Sequence, residues 1–267
     1  MNHNTNYETL LNIEEELKFL TKSTVRIRIL NCLKNASYNV KEIAKATNMR
    51  YSSVSSNVSK LELNNNIYKE DGKFKITFIT RMYLEHILDF NKSLKIITDF
   101  EEFWHKHNID NIDSQSIKNL TDLYNSELVK STSVDIYKTY NTIKKQIIES
   151  ENIKAIFPYL HPEYPKLIEN QLKNGAKIEI LVNNTIYKSL IHNIDDEVRR
   201  TNIKNGNFKV RSVKKPLNIY LTICDNNMSL GLYKNDESFD QNRILISSNE
   251  KAVSWSENLF NKIKNHI

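Results

Sequence analysis

The sequence predicts an α+β chain of two domains joined by a linking helix. Three observations lead to this fold class: two short amphipathic segments run into a β-hairpin, a heptad-like stretch follows, and short apolar runs then alternate with amphipathic ones. The last pattern is typical of strands covered by helices. A chain of 267 residues is long enough for two domains, which we predict at residues 1–79 and 109–267, with the linking helix at 80–108.

Two short helices joined by a tight turn are predicted within residues 40–63. Apolar side chains recur at helical spacing in both segments, at Val40, Ile43, Ala44 and Thr47 and then at Val54, Val58 and Leu61. Asn48 and Met49 fall between them, where the turn is needed. The opposite face of the second segment carries polar side chains, so the pattern is that of a helix-turn-helix.

A β-hairpin follows the second helix. Residues 67–70 and 73–78 are β-type runs on either side of Asp71 and Gly72, a pair that accepts the positive φ angles of a two-residue turn. Two upstream helices are also predicted, from apolar residues at Leu10, Leu11, Ile13, Leu17 and Leu20 and at Val25, Ile27, Ile29, Leu30 and Leu33. Together these elements predict a winged helix, because that motif is a helix-turn-helix running directly into a hairpin.

Basic side chains crowd this predicted domain. From Lys22 to Lys60 the chain has eight basic residues and one acidic residue, Glu42. The net charge of +6 and the pI near 9.0 are weaker evidence, because the whole chain is rich in Lys, Asn, Ile and Tyr and poor in Gly and Pro. The local excess favours a polyanionic partner, and we predict double-stranded DNA.

We expect the exposed face of the second helix to enter the major groove and the hairpin to contact phosphates or the minor groove. Asn57 is the best candidate for reading adenine, and part of the specificity should come from DNA shape because no arginine lies in the middle of this face. The predicted DNA-binding residues are Arg50, Tyr51, Ser52, Ser53, Ser55, Ser56, Asn57 and Lys60 in the helix and Lys69, Lys73 and Lys75 in the hairpin. A winged helix that binds protein is the alternative, which would make the chain a protein-interaction module.

Residues 80–107 carry apolar side chains at alternating spacings of four and three, which is typical of a heptad seam. The seam consists of Tyr83, Ile87, Phe90, Leu94, Ile97 and Trp104 and is interrupted at Glu101. Two interpretations fit: a linker helix packed on its own chain, and the dimerisation helix of a homodimer. We favour the homodimer, because helix-turn-helix proteins commonly bind DNA as dimers.

The remaining residues predict an α/β regulatory domain with a mostly parallel sheet. Strands are predicted at residues 127–129, 154–160 and 177–182, with helices at 134–150, 163–174 and 186–203 between and after them. Further strands are predicted at 208–213, 217–224, 228–233 and 244–247, before a closing helix at 250–267. Such alternation argues for parallel strands, because a helix between two strands lets the chain cross back and run in the same direction.

A ligand site is predicted at one edge of this sheet. Small molecules bind beyond the carboxyl ends of parallel strands, where loops lead into helix N-termini. Applied to the first three strands, this rule gathers Ser131, Thr132, Ser133, Tyr159, His161, Asn183, Asn184 and Thr185. The alternative is that these residues are helix caps, since helix N-termini prefer Ser, Thr and Asn. Helix N-termini would suit an anionic small-molecule effector, and His161 could titrate near neutral pH.

The sequence lacks the motifs of common enzymes. Four glycines leave little room for a phosphate-binding loop, and neither HExxH nor GxSxG occurs. His105 and His107 would lie about 200° apart around a helix and would make poor joint metal ligands. We therefore expect a protein that is not an enzyme and has no cofactor or metal, with a degenerate enzyme as a third alternative.

Cysteine usage and hydropathy predict a cytoplasmic location. Cys32 and Cys224 are the two cysteines, too few for a disulfide framework or a cysteine-based zinc site. No basic leader followed by an apolar run opens the sequence, and no stretch approaches the roughly 18 apolar residues of a membrane span. We therefore expect no contact with a membrane.

Several segments carry a family resemblance. They are residues 104–107 (WHKH), 161–164 (HPEY), 228–233 (MSLGLY), 239–240 (FD), 252–255 (AVSW) and 259–260 (LF). On these segments the chain resembles the archaeal winged-helix transcriptional regulators of the methanogenesis-regulator family, over essentially its whole length. Glu237 stands where that family tends to have glycine, and Ser256 follows Trp255 where glycine is usual.

The resemblance implies a DNA-binding regulator whose sheet domain is similar in outline to phospholipase-D-like folds. A phospholipase-D site would need a His-x-Lys motif followed by Asp, and no histidine here has lysine two residues on. The resemblance in outline therefore implies no activity. Taken together, the sequence predicts a transcriptional regulator with a winged helix that reads DNA and an α/β domain that senses a ligand or a partner.

Overall fold

The computed structural model of the protein describes residue 15 and residues 17–110, 112–214 and 216–265. The chain forms two compact units, Met1–Asn91 and Lys92–Ile267. The apolar residues Leu10, Leu11 and Ile13, which predict the first helix, lie outside the described residues, whereas residues 17–21 are helical.

The N-terminal unit is a winged helix. Its elements are α1 (Thr24–Leu33), α2 (Val40–Thr47), α3 (Tyr51–Leu63), β1 (Ile67–Glu70) and β2 (Lys73–Ile76). Asn48 adopts a left-handed conformation with φ 51° and turns the chain between α2 and α3. Asp71 and Gly72 have φ angles of 50° and 77°, as a two-residue hairpin turn requires. The predicted helix-turn-helix and hairpin are both confirmed.

Local chemistry explains why these helices begin and end where they do. Asn39 caps α2 by accepting a hydrogen bond from the Glu42 amide at 3.0 Å, and the Glu42 carboxylate accepts one from the Asn39 amide at 2.8 Å. This reciprocal arrangement satisfies two amide groups that a helix N-terminus leaves free. Ile43, Val54 and Leu61 then meet in a common core, so the predicted apolar faces are the buried ones.

A long helix follows the wing, and it is interrupted near the predicted position. Helix α4 (Phe78–Asp99) ends before Phe100, which is non-helical. Helix α5 (Glu101–Lys106) follows directly. Within the predicted seam, Ile87 is only 8% exposed in the core of the N-terminal unit whereas Phe90 is 63% exposed. Sequence spacing places both residues on one broad stripe and cannot tell which side of the stripe packs on the chain itself.

The C-terminal unit is a seven-stranded sheet between two layers of helices. Its elements are α6 (Ser114–Lys118), a 3₁₀ turn (Leu120–Leu123), β3 (Glu127–Lys130), α7 (Lys138–Ile148), β4 (Asn152–Phe157), α8 (Tyr164–Lys173), β5 (Lys177–Asn183), α9 (Asn184–His192), α10 (Asp196–Lys204), β6 (Phe208–Val213), β7 (Ile219–Cys224), β8 (Asn227–Leu232), β9 (Arg243–Ser247) and α11 (Glu250–Asn265). Helices α7 to α10 cover one face, and α5 and α11 cover the other.

The predicted mostly parallel sheet is wrong. The strand order is β3-β9-β8-β7-β4-β5-β6, and only the β4–β5 and β5–β6 pairs are parallel. The four other pairings are antiparallel. Two of them, β7–β8 and β8–β9, join strands that follow one another without a crossover helix, and short connections join only antiparallel neighbours. Strand β3 lies at the far edge beside β9, and three strands, β9, β8 and β7, separate it from β4.

Two predicted helices have different bounds in the structure. The helix predicted at residues 134–150 begins at Lys138, since residues 131–137 form the loop after β3. The helix predicted at 186–203 is divided into α9 and α10, because Asp195 accepts hydrogen bonds from the amides of Glu197 and Val198 and starts a new helix.

In the part of the chain that the structure describes, no helix is long and apolar enough to cross a membrane, and no group of three or more His, Cys, Asp or Glu residues could hold a metal ion. Cys32 and Cys224 are free thiols.

Candidate nucleic-acid interface and ligand pocket

Helix α3 presents one polar face to solvent. Tyr51 is 53% exposed, while Val54, Val58 and Leu61 are buried on the opposite side. The predicted base-contacting residues all lie on the accessible side. Tyr51, Ser52, Ser56, Arg50 and Lys60 are exposed, and Ser53, Ser55 and Asn57 are half-buried.

Asn57, predicted to read adenine, is hydrogen-bonded within its own helix. Its side-chain amide nitrogen donates to the Ser53 carbonyl oxygen at 2.9 Å. Recognition of adenine by asparagine uses both the amide oxygen and the amide nitrogen. The Asn57 side chain must therefore rotate away from Ser53 before it can make that pair of contacts.

Among the eight basic residues from Lys22 to Lys60, Lys22 is exposed before α1, and the structure divides the other seven into two groups. Lys34 forms an ion pair with Glu85 at 2.7 Å, Arg28 donates to the Thr47 carbonyl at 2.5 Å, and Arg26 lies 4.1 Å above the Phe19 ring. These three side chains hold the unit together. Four others are exposed on α2, on α3 and in the turn between them, namely Lys41, Lys45, Arg50 and Lys60. We call these four residues the helix cations.

The wing is less basic than its sequence suggests. Lys75 forms an ion pair with Glu70 across the hairpin, and this hydrogen bond raises the pKa of the lysine. Lys69 lies 5.7 Å from the centre of the Phe74 ring, and Lys73 is exposed at the turn. Of the three predicted phosphate contacts, Lys69 and Lys73 therefore keep more of their charge for DNA than Lys75 does.

The predicted ligand residues do not form one site. Asn183 caps α9 by accepting from the Ile186 amide at 2.9 Å, and Asn184 accepts from the Ser212 hydroxyl. Thr185 and Ser133 are exposed, and Thr132 accepts from the Asp135 amide at 3.1 Å. Asn183 therefore acts as a helix cap, which is the alternative that the sequence left open, whereas Thr132 stabilises a turn in the loop before α7.

A pocket lies at the predicted edge, around Tyr159 and His161. Its volume is about 110 Å³.

 The pocket lies between the start of α7, the end of β4 and the connection from β8 to β9. Its lining consists of Ile136, Tyr137, Thr139, Tyr140, Ile143, Tyr159, His161, Phe239, Gln241, Asn242 and Ile244.

Ser131 lies beside this pocket without lining it. Its hydroxyl is 3.0 Å from the Thr139 hydroxyl, and its amide donates to the Asn242 carbonyl at 2.9 Å. Sequence reasoning therefore found Tyr159, His161 and one neighbouring residue, and it missed the residues of α7 and of the β8–β9 connection. Those residues reach the pocket because β8 and β9 lie between β3 and β4, an arrangement that strand spacing does not reveal.

The pocket lining carries no full charge at neutral pH. His161 stacks on Tyr140 with ring centres 4.0 Å apart, and burial lowers the pKa of the imidazole. Its Nδ1 accepts from the Glu163 amide at 3.2 Å, so the neutral ring carries its proton on Nε2. Outside the lining, Glu163 accepts from the Tyr140 hydroxyl at 2.6 Å and pairs with Lys144 at 2.7 Å.

A buried ion cluster lies on the other side of the β8–β9 connection. Asp240 is 1% exposed, and its carboxylate accepts hydrogen bonds from His107 Nε2 at 3.0 Å, from the Asn242 amide at 2.9 Å and from Arg243 at 2.9 Å. Burial alone would raise the pKa of Asp240, but these three hydrogen bonds outweigh it and hold the pKa well below its usual range. His107 Nδ1 is 2.5 Å from the Phe103 carbonyl, so both ring nitrogens face oxygen acceptors.

The cluster extends to helix α5. Arg243 also bonds Glu102 at 2.9 Å, and Glu102 accepts from Lys106 at 2.7 Å and from Lys130 at 2.6 Å. Hydrogen bonds from Lys106, Lys130 and Arg243 lower the pKa of Glu102 to about 2. Residues 104–107 and 239–240 are two of the segments that carry the family resemblance. This resemblance is the feature of the sequence that could have indicated the contact between His107 and Asp240. His105, by contrast, is exposed, which confirms that the two histidines face different ways.

A winged helix and a separate α/β unit define the class of the molecule, and comparison with known families places it further. The model of the N-terminal domain of the methanogenesis regulatory protein FilR1 matches residues 14–94, and the model of the FilR1 middle domain matches residues 136–266. The chain belongs to this family.

One relative is the methanogenesis regulatory protein FilR1 of Methanothrix harundinacea (strain 6Ac). It is 25% identical over 256 residues, which cover 92% of this chain and 56% of the relative. The chain therefore spans little more than half the length of that protein.

Solved structures with a similar arrangement include TrmBL2, described as an archaeal chromatin protein. It is 12% identical, covers 97% of this chain and 99% of its own, and has a TM-score of 0.42. The homodimeric winged helix-turn-helix domain of Mb0332 from Mycobacterium bovis is 19% identical, with 38% and 93% coverage and a TM-score of 0.27. The methyltransferase CalO1 is 10% identical, with 80% and 67% coverage and a TM-score of 0.23. At these TM-scores none of the three supports a functional argument.

Proposed function

We propose that this chain is a transcriptional regulator that binds double-stranded DNA through α3 and the wing. The observation that carries the proposal is the exposed polar face of α3 flanked by the helix cations, Lys41, Lys45, Arg50 and Lys60. Such a surface combines side chains that can read base edges with charges that can contact phosphates. The name of the Methanothrix relative, a regulatory protein, supports the same function.

We assign one role to each of the three parts of the chain that the sequence predicts. Residues 1–79 bind DNA, residues 80–108 link and dimerise, and residues 109–267 respond to a small-molecule effector. We retain the phospholipase-D-like outline of the last part as a prediction about its fold, without any activity. A protein-interaction module is the competing function, and it predicts binding that does not depend on nucleic acid.

Selection from a random DNA library tests the proposed function. The purified chain should enrich a defined sequence, and Ser53→Ala with Asn57→Ala should change the preferred bases, because these side chains lie at the centre of the exposed face of α3. Asn64→Ala is the matched control, since Asn64 is an exposed asparagine at the far end of the same helix. Enrichment of no sequence, or an unchanged preference in the double variant, would contradict this docking.

We also propose that two copies associate through α4. The part of this helix within the N-terminal unit exposes Ile79, Met82, Tyr83 and Phe90, and Tyr83 and Phe90 line the apolar groove of about 470 Å³ with Leu17 and Leu20. A second copy of the helix would cover these side chains. Two winged helices would then contact DNA about 34 Å apart, one helical turn.

Sedimentation of variants of α4 tests the dimer. Phe90→Glu should convert the dimer to a monomer that keeps its fold, because Phe90 is largely exposed in the single chain. Ile87→Glu is the contrasting variant, which should unfold the N-terminal unit because Ile87 is buried in its core. A wild-type chain that sediments as a monomer at micromolar concentration, with and without DNA, would rule the dimer out.

A further inference from the structure

The connection between β8 and β9 lies between the pocket and the buried ion cluster. Phe239, Gln241 and Asn242 line the pocket, whereas Asp240 and Arg243 hold His107 and Glu102. We infer that the pocket binds a small uncharged molecule with a single ring, and that this binding changes the hold of Asp240 on the residues at the end of the linking helix. The inference rests on the proposed sensing role of the C-terminal unit and names its ligand class and its route.

The size of the pocket limits the ligand to about one ring. Its volume is 110 Å³. A cavity of about 150 Å³ in another protein holds benzene, so this smaller pocket encloses at most a single five-membered or six-membered ring. Typical drug-sized ligands occupy pockets of about 300 Å³ or more and would not fit.

The lining selects an uncharged ring. Tyr137, Tyr159 and Phe239 offer aromatic surface, and Gln241 and Asn242 offer amide groups for one or two hydrogen bonds. Lys144 and Glu163, which contact Tyr140 from outside the lining, pair with each other at 2.7 Å. The lining itself offers no charged side chain to a ligand. A charged ligand would lose its hydration without gaining a counterion, so neutral ligands bind best.

The connection is held on both sides, so a ligand cannot displace it without affecting the cluster. On the pocket side, the Thr139 hydroxyl donates to the Gln241 carbonyl at 2.6 Å, and the Asn242 carbonyl accepts from the Ser131 amide. On the other side, Asp240 is bonded to His107 directly after α5. A shift of residues 239–242 around a ligand therefore changes the distance from Asp240 to His107, and a ligand favours whichever arrangement it binds more tightly.

Proton and fluorine NMR of the full chain test both parts of the inference. The chain has two tryptophans, and 5-fluorotryptophan labels both. Trp104 lies in α5 and donates to the Ile96 carbonyl at 3.2 Å, while Trp255 in α11 donates to the Ser116 carbonyl at 2.9 Å. Phenol and benzamide at millimolar concentration should shift the His161 ring-proton signals and the Trp104 fluorine signal. Benzoate and benzamidinium, the charged analogues, should shift neither.

Two variants separate binding from transmission. Gly231→Ala places a Cβ 2.9 Å from Cζ of Phe239, so this ring of the pocket lining must move and phenol should bind about tenfold more weakly. Asp240→Asn keeps the pocket lining but removes the charge that holds His107, so phenol should still shift the His161 signals and no longer shift Trp104. Asp236→Asn, in the exposed part of the same connection, is the matched control and should behave as the wild type.

The outcomes distinguish the hypotheses. Shifts at His161 without a shift at Trp104 in the wild type would contradict the proposed effect of ligand binding on the contact between Asp240 and His107. The absence of any shift at His161 with both neutral probes, or equal shifts with the charged analogues, would overturn the ligand class. Neither measurement involves DNA, so the DNA-binding function is tested independently by the library selection.

Discussion

Replacing Asp240 by alanine should lower the free energy of unfolding of the C-terminal unit by about 3 kcal/mol. The buried carboxylate accepts hydrogen bonds from His107, Arg243 and the Asn242 amide, and the substitution leaves all three donors without it. A donor buried without a partner costs more than the hydrogen bond itself contributes, because water does not replace the lost contact. Urea unfolding followed by circular dichroism measures the change.

The control for this substitution is Asp236→Ala in the same connection. Asp236 is exposed and bonds only its neighbour Ser238 among the described contacts, so its loss should change the free energy of unfolding by less than about 0.5 kcal/mol. If Asp240→Ala is no more destabilising than Asp236→Ala, the ion cluster contributes nothing to stability.

The effect of Asp240 should also depend on pH in a known direction. Because the pKa of Asp240 is lowered in the folded chain, its carboxylate stabilises the fold above the unfolded-state pKa of about 3.9, and this stabilisation is lost as the pH falls towards the folded-state pKa. The difference between wild type and Asp240→Ala should therefore be constant between about pH 5 and pH 7 and shrink below about pH 4. A difference that grows with acid would contradict the assigned direction.

Replacing the four helix cations Lys41, Lys45, Arg50 and Lys60 by glutamine should weaken DNA binding by at least about 100-fold at physiological salt. Each cation that contacts a phosphate releases a counterion, so the slope of log affinity against log salt should fall by about 3. Fluorescence anisotropy with labelled duplex DNA at several salt concentrations measures both quantities.

A set of four exposed lysines in the C-terminal unit provides the control with an equal change of charge: Lys138, Lys188, Lys209 and Lys251. Glutamine at these positions should leave the salt slope nearly unchanged. Glutamine at Lys69 and Lys73 should have an intermediate effect that is similar for all DNA sequences. An equal loss for the helix cations and the control set would show that only net charge matters and that α3 has no special role.

Local patterns determined most of the winged helix. The spacing of Ile43, Val54 and Leu61 describes helices whose partners lie within a few turns of chain, and Asp71-Gly72 specifies a turn by its own backbone preferences. Periodicity and turn chemistry act over a few residues, so they can be read without knowing the rest of the fold. The same patterns located the strands of the C-terminal unit but not their neighbours.

Candidate site residues were predictable only where the feature was local. The exposed face of α3 follows from helical spacing, and Tyr159 and His161 follow from their place after a strand. Tyr140 and Phe239, which complete the pocket, come from α7 and the β8–β9 connection and carry no local signature of a site. Their contribution depends on which strands lie side by side.

The sequence by itself determined that the chain begins with a helix-turn-helix and a hairpin, carries a long helix after them and continues as alternating helices and strands. The tertiary structure alone decided the sheet order, the antiparallel direction of most pairings and the burial of Ile87 beside an exposed Phe90. It also decided the bond between His107 and Asp240, which are 133 residues apart. The reason is physical: hydrogen bonds and burial between distant segments depend on how the whole chain packs, and local spacing of apolar residues does not specify that packing.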